Sequence, residues 1–235
     1  MNDRIDRKQQ RDDDIYASAP LRRLLDAQTC ALKPVLQRCF GTHALLLGAS
    51  RDDAPPALPM FGCWTCLQLR DGRYQGDLRA AADEPLPFID DAFELVLLRH
   101  ALEVAPLPSS LLDEAIRVLA PGGVLALTGV HPLGGWSPWC YWHARRKPPA
   151  LQMPWWLRHQ LERAGLTVEQ LQRVGGVWPG RKATWGALAG TFGGGYVLVA
   201  RKRRRLAMPL RLAPVPVRVP ANGRLSPGTR RSAAL

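Results

Sequence analysis

The stretch EAIRVLAPGGVLALTG, residues 114–129, decides the fold class. Its first half continues a helical pattern that begins near Ser109 or Ser110, which are both N-cap candidates. The Pro-Gly-Gly turn that follows leads into VLALTGV, a continuous apolar run typical of a strand buried on both faces. The run FELVLLRHAL, residues 93–102, has the same character. The order strand, helix, turn, strand predicts a right-handed crossover in a parallel sheet.

Other segments extend this α/β pattern in both directions along the chain. A helix is predicted near the start, from Leu21 with Gly41 as its stop, and a second one begins at PWW and ends at Gly165. The predicted strands are HALLLG (43–48), FGCWTCLQL (61–69), TVEQLQRV (167–174) and GGGYVLVARKR (193–203). The whole pattern indicates a sheet with helices packed against it.

Charge divides the chain into three parts. The 235 residues carry a net charge of +12, but from Arg201 onward there are ten Lys or Arg and no Asp or Glu. We predict a charged N-terminal segment (1–17), one domain (18–205) and a basic tail rich in Pro and Arg (206–235). Prolines at short intervals favour an extended, disordered tail. This tail either stays solvated or lies on an anionic partner, a nucleic acid or a membrane surface.

Composition narrows the location and the cofactor chemistry. No apolar run approaches the roughly 18 residues of a membrane-spanning helix, and the charged start is unlike a secretory signal, so we expect a cytoplasmic protein. Five cysteines without an export signal indicate reduced thiols. Cys63 and Cys66 form a CWTC pair, but no second pair completes a zinc site, and we predict no metal.

Two adjoining stretches carry a resemblance to a known family. LPFIDDAFELVLLRHALEV (86–104), followed by LLDEAIRVLAPGGVLALTG (111–129), resembles the central motifs of class I S-adenosylmethionine-dependent methyltransferases. The likeness extends over residues 42–202, and the chain is most similar to small bacterial methyltransferase-domain proteins. It implies a Rossmann-like, mostly parallel sheet of seven strands, with helices on both faces and an antiparallel last strand. It also implies S-adenosyl-L-methionine as the cofactor.

The resemblance directs attention to the carboxyl ends of the strands, where open α/β sheets bind ligands. Members of the family carry an acidic residue two positions before a G-x-G-x-G turn, whereas this chain has Leu46 and a single glycine. The implied cofactor-binding residues are Gly48, Ala49 and Ser50 after the first strand, Asp71 for the ribose hydroxyls, Asp83 for the adenine amino group, and Arg99. Glu94 replaces the usual aspartate of the family's Phe-Asp pair.

Two histidines are candidate catalytic bases. Methyl transfer from a sulfonium needs few catalytic groups, because the protein mainly aligns the reactants and excludes water. His100 and His131 each follow a predicted strand at the same edge of the sheet, where either could accept a proton or simply pack. Glu114 and Arg117 read as a helix-surface pair. Seven of the eight tryptophans lie between His131 and Trp185, either as a lid over an apolar substrate or as cover for a sheet face.

Three functions are compatible with these features. The first is a methyltransferase acting on a small or medium organic molecule. The second is a non-catalytic binding protein of the same fold, because the glycine turn is reduced to Gly48 and the family's ribose-binding carboxylate at the end of the second strand has no clear match. The third is an RNA-associated protein that uses the basic tail for electrostatic affinity. The tail has no interleaved aromatic residues for base stacking, which disfavours the third function.

Overall fold

The sheet is built from continuous apolar runs, as the sequence predicts. The computed structural model describes residues 14–50, 53–144, 148–179 and 193–203. Its strands are β1 (Gly41–Gly48), β2 (Phe61–Arg70), β3 (Arg73–Gly76), β4 (Ala80–Ala81), β5 (Phe93–Arg99), β6 (Leu119–Val130), β7 (Leu166–Val174) and β8 (Gly195–Lys202).

The described strands form one sheet in the order β4-β3-β2-β1-β5-β6-β8-β7. The four central strands β2, β1, β5 and β6 are parallel. β8 runs antiparallel to both β6 and β7, which confirms the predicted direction of the last strand. The sheet has eight described strands instead of seven, because an antiparallel ribbon of β3 and β4 extends β2.

Helices cover both faces of the sheet. They are α1 (Ala19–Leu36), α2 (Ala101–Val104), α3 (Pro108–Val118), α4 (Trp136–His143) and α5 (Pro154–Arg163), and a 3₁₀ helix (Ile15–Ala17) precedes them. α1 packs on the face that carries Leu46, Leu95 and Val197. α3 and α5 pack on the opposite face, which carries alternate residues of the same strands. No helix of the described residues is long and apolar enough to cross a membrane.

Two local features differ from the sequence prediction. Helix α3 begins at Pro108 and has Leu107 at its N-cap, so neither Ser109 nor Ser110 caps it. Proline fits this position because the first helical N–H has no partner within the helix. The predicted Pro-Gly-Gly turn at 121–123 lies inside β6, where the pairing with β5 slips between Phe93 and Leu95.

The predicted division of the chain is described only in part. All described residues belong to one compact unit, which ends at Arg205. Residues 14–17, which we assign to the charged N-terminal segment, belong to this unit and pack in it through the buried ring of Tyr16. The predicted basic tail, 206–235, lies outside the described residues.

Candidate active site

A cavity of about 350 Å³ lies at the carboxyl ends of β1 and β2. This edge of the sheet is where the fold predicts a ligand, and the volume falls within the usual range for small-molecule sites. The 3₁₀ helix, the end of α2 with the residues after it, and the described part of the connection between α4 and α5 form the rest of its wall. The lining residues that carry charge or a hydrogen-bonding side chain are Asp14, Tyr16, Arg70, Asp71 and Glu103.

Glu103 is the centre of a buried hydrogen-bond network at this cavity. Its Oε2 accepts from the hydroxyl of Tyr16 at 2.7 Å, and its Oε1 accepts from the backbone N–H of Val130. Burial and the nearby Glu103 carboxylate raise the pKa of Tyr16 well above its usual value. The network ties the N-terminal 3₁₀ helix to the end of β6 through one carboxylate.

His100 belongs to the same network. Its backbone is left-handed, with φ of 53°, at the junction of β5 and α2. Nδ1 lies 3.2 Å from Oε1 of Glu103, and Nε2 lies 2.9 Å from Oε1 of Gln28, a buried residue of α1. Both ring nitrogens therefore face protein oxygens, and the ring positions Glu103. A substrate proton could reach His100 only after one of these contacts opens.

His131, the other predicted base, is not among the residues that line the cavity. It follows β6, and its Nδ1 accepts from the N–H of Leu133 at 3.1 Å. Burial, with a smaller contribution from the positive charge of Arg173, lowers the pKa of the imidazole. The ring is therefore neutral near pH 7. It stabilises the turn after β6 and does not face the cavity.

The loop after β1 places only one of its predicted residues at the cavity. Ala49 lines the cavity, whereas Ser50 is buried beside the loop and its N–H donates to Oδ2 of Asp53. A Cβ added at Gly48 would collide with the same Asp53 carboxylate. The glycine therefore makes room for Asp53. Burial raises the pKa of that carboxyl.

Arg99 points away from the cavity. It ends β5 on the sheet face that α1 covers, and its Nη1 donates to the carbonyl of Ala54 at 2.8 Å. Burial lowers its pKa, and the nearby carboxylates of Asp53 and Asp26 oppose that shift. In this position Arg99 anchors the loop between β1 and β2.

Of the two predicted aspartates, the structure brings one to the cavity. Asp71 lines it, and with Gly72 forms the turn between β2 and β3, where both residues have positive φ (48° and 71°). This geometry is a type I′ turn, for which Asp-Gly is a favoured pair. Asp83 is exposed and is absent from the cavity lining.

Glu114 and Arg117 hold the segment around residues 86–88, here called the LPF loop, against α3. Arg117 donates to the carbonyls of Leu86 and Phe88 at 2.9 Å each, and to the carboxylates of Glu114 and Asp90. Glu114 accepts in turn from the N–H of Leu86 at 2.8 Å. Hydrogen bonds to Arg117 lower the pKa of Glu114. The pair that reads as a surface ion pair in the sequence is a clamp on this loop.

Sequence reasoning missed the most connected residues of the site, which are Tyr16, Gln28 and Glu103. Only Glu103 had a signal, because it follows a buried strand within the RHALE stretch. Cys63 and Cys66 of the CWTC stretch are free, and three positions along a strand place them on opposite faces. The described part of the chain holds no group of three or more His, Cys, Asp or Glu side chains suited to a metal.

Comparisons with known proteins agree with the fold and the motifs. Residues 66–127, from β2 to β6, match the methyltransferase domain family. An S-adenosylmethionine-dependent methyltransferase from Thermotoga maritima is 15% identical, with a TM-score of 0.52 over 85% of this chain and 96% of that one. One from Mesorhizobium loti is also 15% identical, with a TM-score of 0.51 over 76% of this chain and 100% of that one. No curated protein matches the sequence significantly.

These findings define the chain as a protein of the class I S-adenosylmethionine-dependent methyltransferase fold. They confirm the resemblance that the LPF and PGG stretches carry. At this level of identity the solved structures support the fold alone, and the match over residues 66–127 supports the family motifs.

Proposed function

We propose that the protein is an S-adenosylmethionine-dependent methyltransferase that acts on a small or medium organic molecule. The observation that carries the proposal is the cavity at the carboxyl ends of β1 and β2, with Asp71 at the end of β2. A carboxylate in that position can accept hydrogen bonds from vicinal hydroxyls of a ribose. The family motifs in residues 66–127 support the same chemistry.

The charge of the cavity suits this cofactor. Three carboxylates, those of Asp14, Asp71 and Glu103, line it together with one guanidinium, that of Arg70. The cofactor carries a sulfonium and an ammonium group, which the net negative charge of these side chains attracts. Asp71 is 63% exposed and also pairs with Arg70. Asp71 would hold the ribose and Ala49 would allow close approach of the β1 loop. When bound, the cofactor supplies an electrophilic methyl group.

The chain's own residues would mainly bind, align and shield the reactants. Tyr16 and Asp14 close one side of the cavity and limit the entry of water. His100 acts through Glu103, because Nδ1 of the ring contacts that carboxylate and fixes it at the wall. Glu103 adds negative charge to this wall from within the network, because its side chain is almost fully buried.

A second candidate is a binding protein of this fold without methyltransferase activity. It is favoured by the loop after β1, where the carboxylate of Asp53 occupies the space beside Gly48. An RNA-associated role would depend on the basic tail, which lies outside the described residues. Binding of the cofactor by the cavity and binding of an anionic partner by the tail therefore need separate tests.

Two matched variants test the cofactor site. Asp71→Asn keeps a residue that tolerates the left-handed turn but removes the charge, whereas Asp83→Asn makes the same change outside the cavity. Titration with S-adenosylhomocysteine should show affinity falling about tenfold for Asp71→Asn, the scale of one hydrogen bond to a charged group. If Asp83→Asn alone loses affinity, the adenine contact lies at Asp83 and the cavity assignment is wrong.

A further inference from the structure

Five exposed aromatic side chains lie at one edge of the sheet. α4 begins six residues after β6 ends, and the N-terminus of α5 lies at this same edge because α5 returns to the start of β7. Trp178 follows the end of β7 and its ring lies against Gly135 at the N-cap of α4. The side chains are Tyr141, Trp142, Trp155, Trp156 and Trp178, here called the aromatic edge.

These side chains are not needed for the core. Trp142 is 86% exposed, and the other four are each more than half exposed. The same helices bury different residues, Trp136 and Cys140 in α4 and Leu157 and Leu161 in α5. Each helix therefore presents an apolar inner face to the protein and aromatic rings to the surface. Exposed aromatic patches of this kind mark interaction sites.

Charge accompanies the aromatic edge. Residues 131–192, which contain it, have eight Lys or Arg and only two Asp or Glu, whereas residues 14–130 have ten and fourteen. Both acids are already paired, Glu162 with Arg158 and Glu169 with Arg201. The segment that carries the rings is therefore cationic, and a partner with negative charge complements it.

Among the described residues, the opposite edge of the sheet carries one exposed aromatic ring, that of Phe40, instead of five. Its exposed apolar side chains are Phe40, Met60 and Ile89, which immediately precede β1, β2 or the turn before β5. Asp90 and Asp91 directly follow Ile89 in the sequence. Both are paired, Asp90 with Arg117 and Asp91 with Lys202. The two edges therefore differ mainly in their exposed aromatic rings, and they provide an internal comparison.

We propose that the aromatic edge docks onto a lipid bilayer that contains anionic headgroups. Indole and phenol rings prefer the boundary between headgroups and acyl chains, because one end of the ring system is apolar and the other is polar. The excess of Lys and Arg in this segment of the sequence adds attraction to anionic lipids. The rings of Trp155 and Trp156 contact each other, with centroids 5.0 Å apart and a tilt of 35°, which forms an apolar patch without a gap for a stacked base.

Docking at this edge would also place the cavity beside the bilayer. Ala144, Pro148 and Pro149, which lie between α4 and α5, line the cavity. An amphiphilic molecule resident in the membrane would then have a short path to Glu103. This consequence rests on the proposed methyltransferase function, whereas the docking itself does not.

The test compares two double variants of the full chain by sedimentation with vesicles. Trp142→Gln with Trp156→Gln removes two rings from the aromatic edge, and Phe40→Gln with Ile89→Gln is the matched control at the opposite edge. The vesicles are phosphatidylcholine with or without phosphatidylglycerol. We expect the wild type to prefer the anionic vesicles, the aromatic double variant to bind more than about tenfold more weakly, and the control to bind normally.

Salt separates the aromatic edge from purely electrostatic binding by the tail. In about 1 M salt the Debye length falls to about 3 Å, so attraction by exposed cations is screened while apolar contact persists. Residual binding by the wild type and none by the aromatic double variant supports the proposal. Equal binding by both proteins under all conditions, no binding to anionic vesicles, or loss of self-association in place of vesicle binding would each overturn it.

Discussion

The hydroxyl of Tyr16 donates to Oε2 of Glu103 across 87 positions of sequence, at a distance of 2.7 Å inside the protein. This contact joins the 3₁₀ helix at the start of the described chain to the wall of the cavity. Residues 14–17, which composition assigns to the charged N-terminal segment, therefore supply one side chain, that of Tyr16, which the core buries.

Loss of the Tyr16 hydroxyl should destabilise the fold measurably. Tyr16→Phe keeps the ring but leaves Glu103 with one hydrogen bond fewer, which costs about 1.5–3 kcal/mol for a bond to a charged acceptor. Denaturant unfolding measures this change. Tyr141→Phe removes a hydroxyl from an exposed ring and serves as the control. Equal stability of the two variants would show that the Tyr16 contact contributes nothing.

Alkaline pH should weaken the fold through the same residue. Burial raises the pKa of Tyr16 above its usual value near 10, so the folded state retains a proton that the unfolded state releases. Stability is complete below about pH 10 and falls as pH rises further, by up to about 1.4 kcal/mol per pH unit for one such group. Unfolding curves of Tyr16→Phe should show a shallower decline, and an unchanged slope would argue against this assignment.

Gly48 and Asp53 should behave as a coupled pair. Gly48→Ala places a methyl group against the Asp53 carboxylate, and overpacking of this kind costs about 1–3 kcal/mol. Asp53→Ala removes the obstacle, so the double variant should be less destabilised than the sum of the single changes by more than about 0.5 kcal/mol. Strict additivity in a double-mutant cycle would mean that Gly48 is required for another reason.

The clamp on the LPF loop should be worth more than an ordinary surface pair. Arg117→Ala removes donors to the carbonyls of Leu86 and Phe88 and should cost about 2–3 kcal/mol, with faster hydrogen exchange at Leu86. Arg158→Ala breaks an exposed pair with Glu162 in α5 and should cost less than about 0.5 kcal/mol. Similar losses for both variants would reduce the clamp to a surface contact.

The sequence predicts the sheet well because its strands are continuous apolar runs. β5 and β8 lie inside the predicted runs FELVLLRHAL and GGGYVLVARKR, and β1 and β6 include the predicted runs HALLLG and VLALTGV. The prediction for β5 extends three residues too far, because Ala101–Val104 form α2. The ribbon of β3 and β4 escapes prediction, although Asp71 and Gly72 carry the strongest short hairpin signal. Asp71, which the family resemblance assigns to the ribose, is therefore also a turn residue.

The candidate site is predicted less well, because its contacts join distant positions. No local pattern pairs Gln28 with His100, which are 72 positions apart. The sequence likewise cannot show that Asp53 fills the space beside Gly48, since the glycine alone reads as room for a ligand. Ala49 and Asp71 are the predicted residues that the structure brings to the cavity, because each directly follows a parallel strand.

The most direct test of the central claim is calorimetric titration of the intact protein with S-adenosylmethionine and S-adenosylhomocysteine. A cavity lined by Asp14, Asp71 and Glu103 predicts binding at micromolar ligand, with weaker affinity for the demethylated product because it lacks the sulfonium charge. Glu103→Gln should reduce that difference, since it neutralises one of the three carboxylates. Heat at micromolar ligand with this preference is the predicted result, and no heat at millimolar concentrations of either ligand would contradict the account.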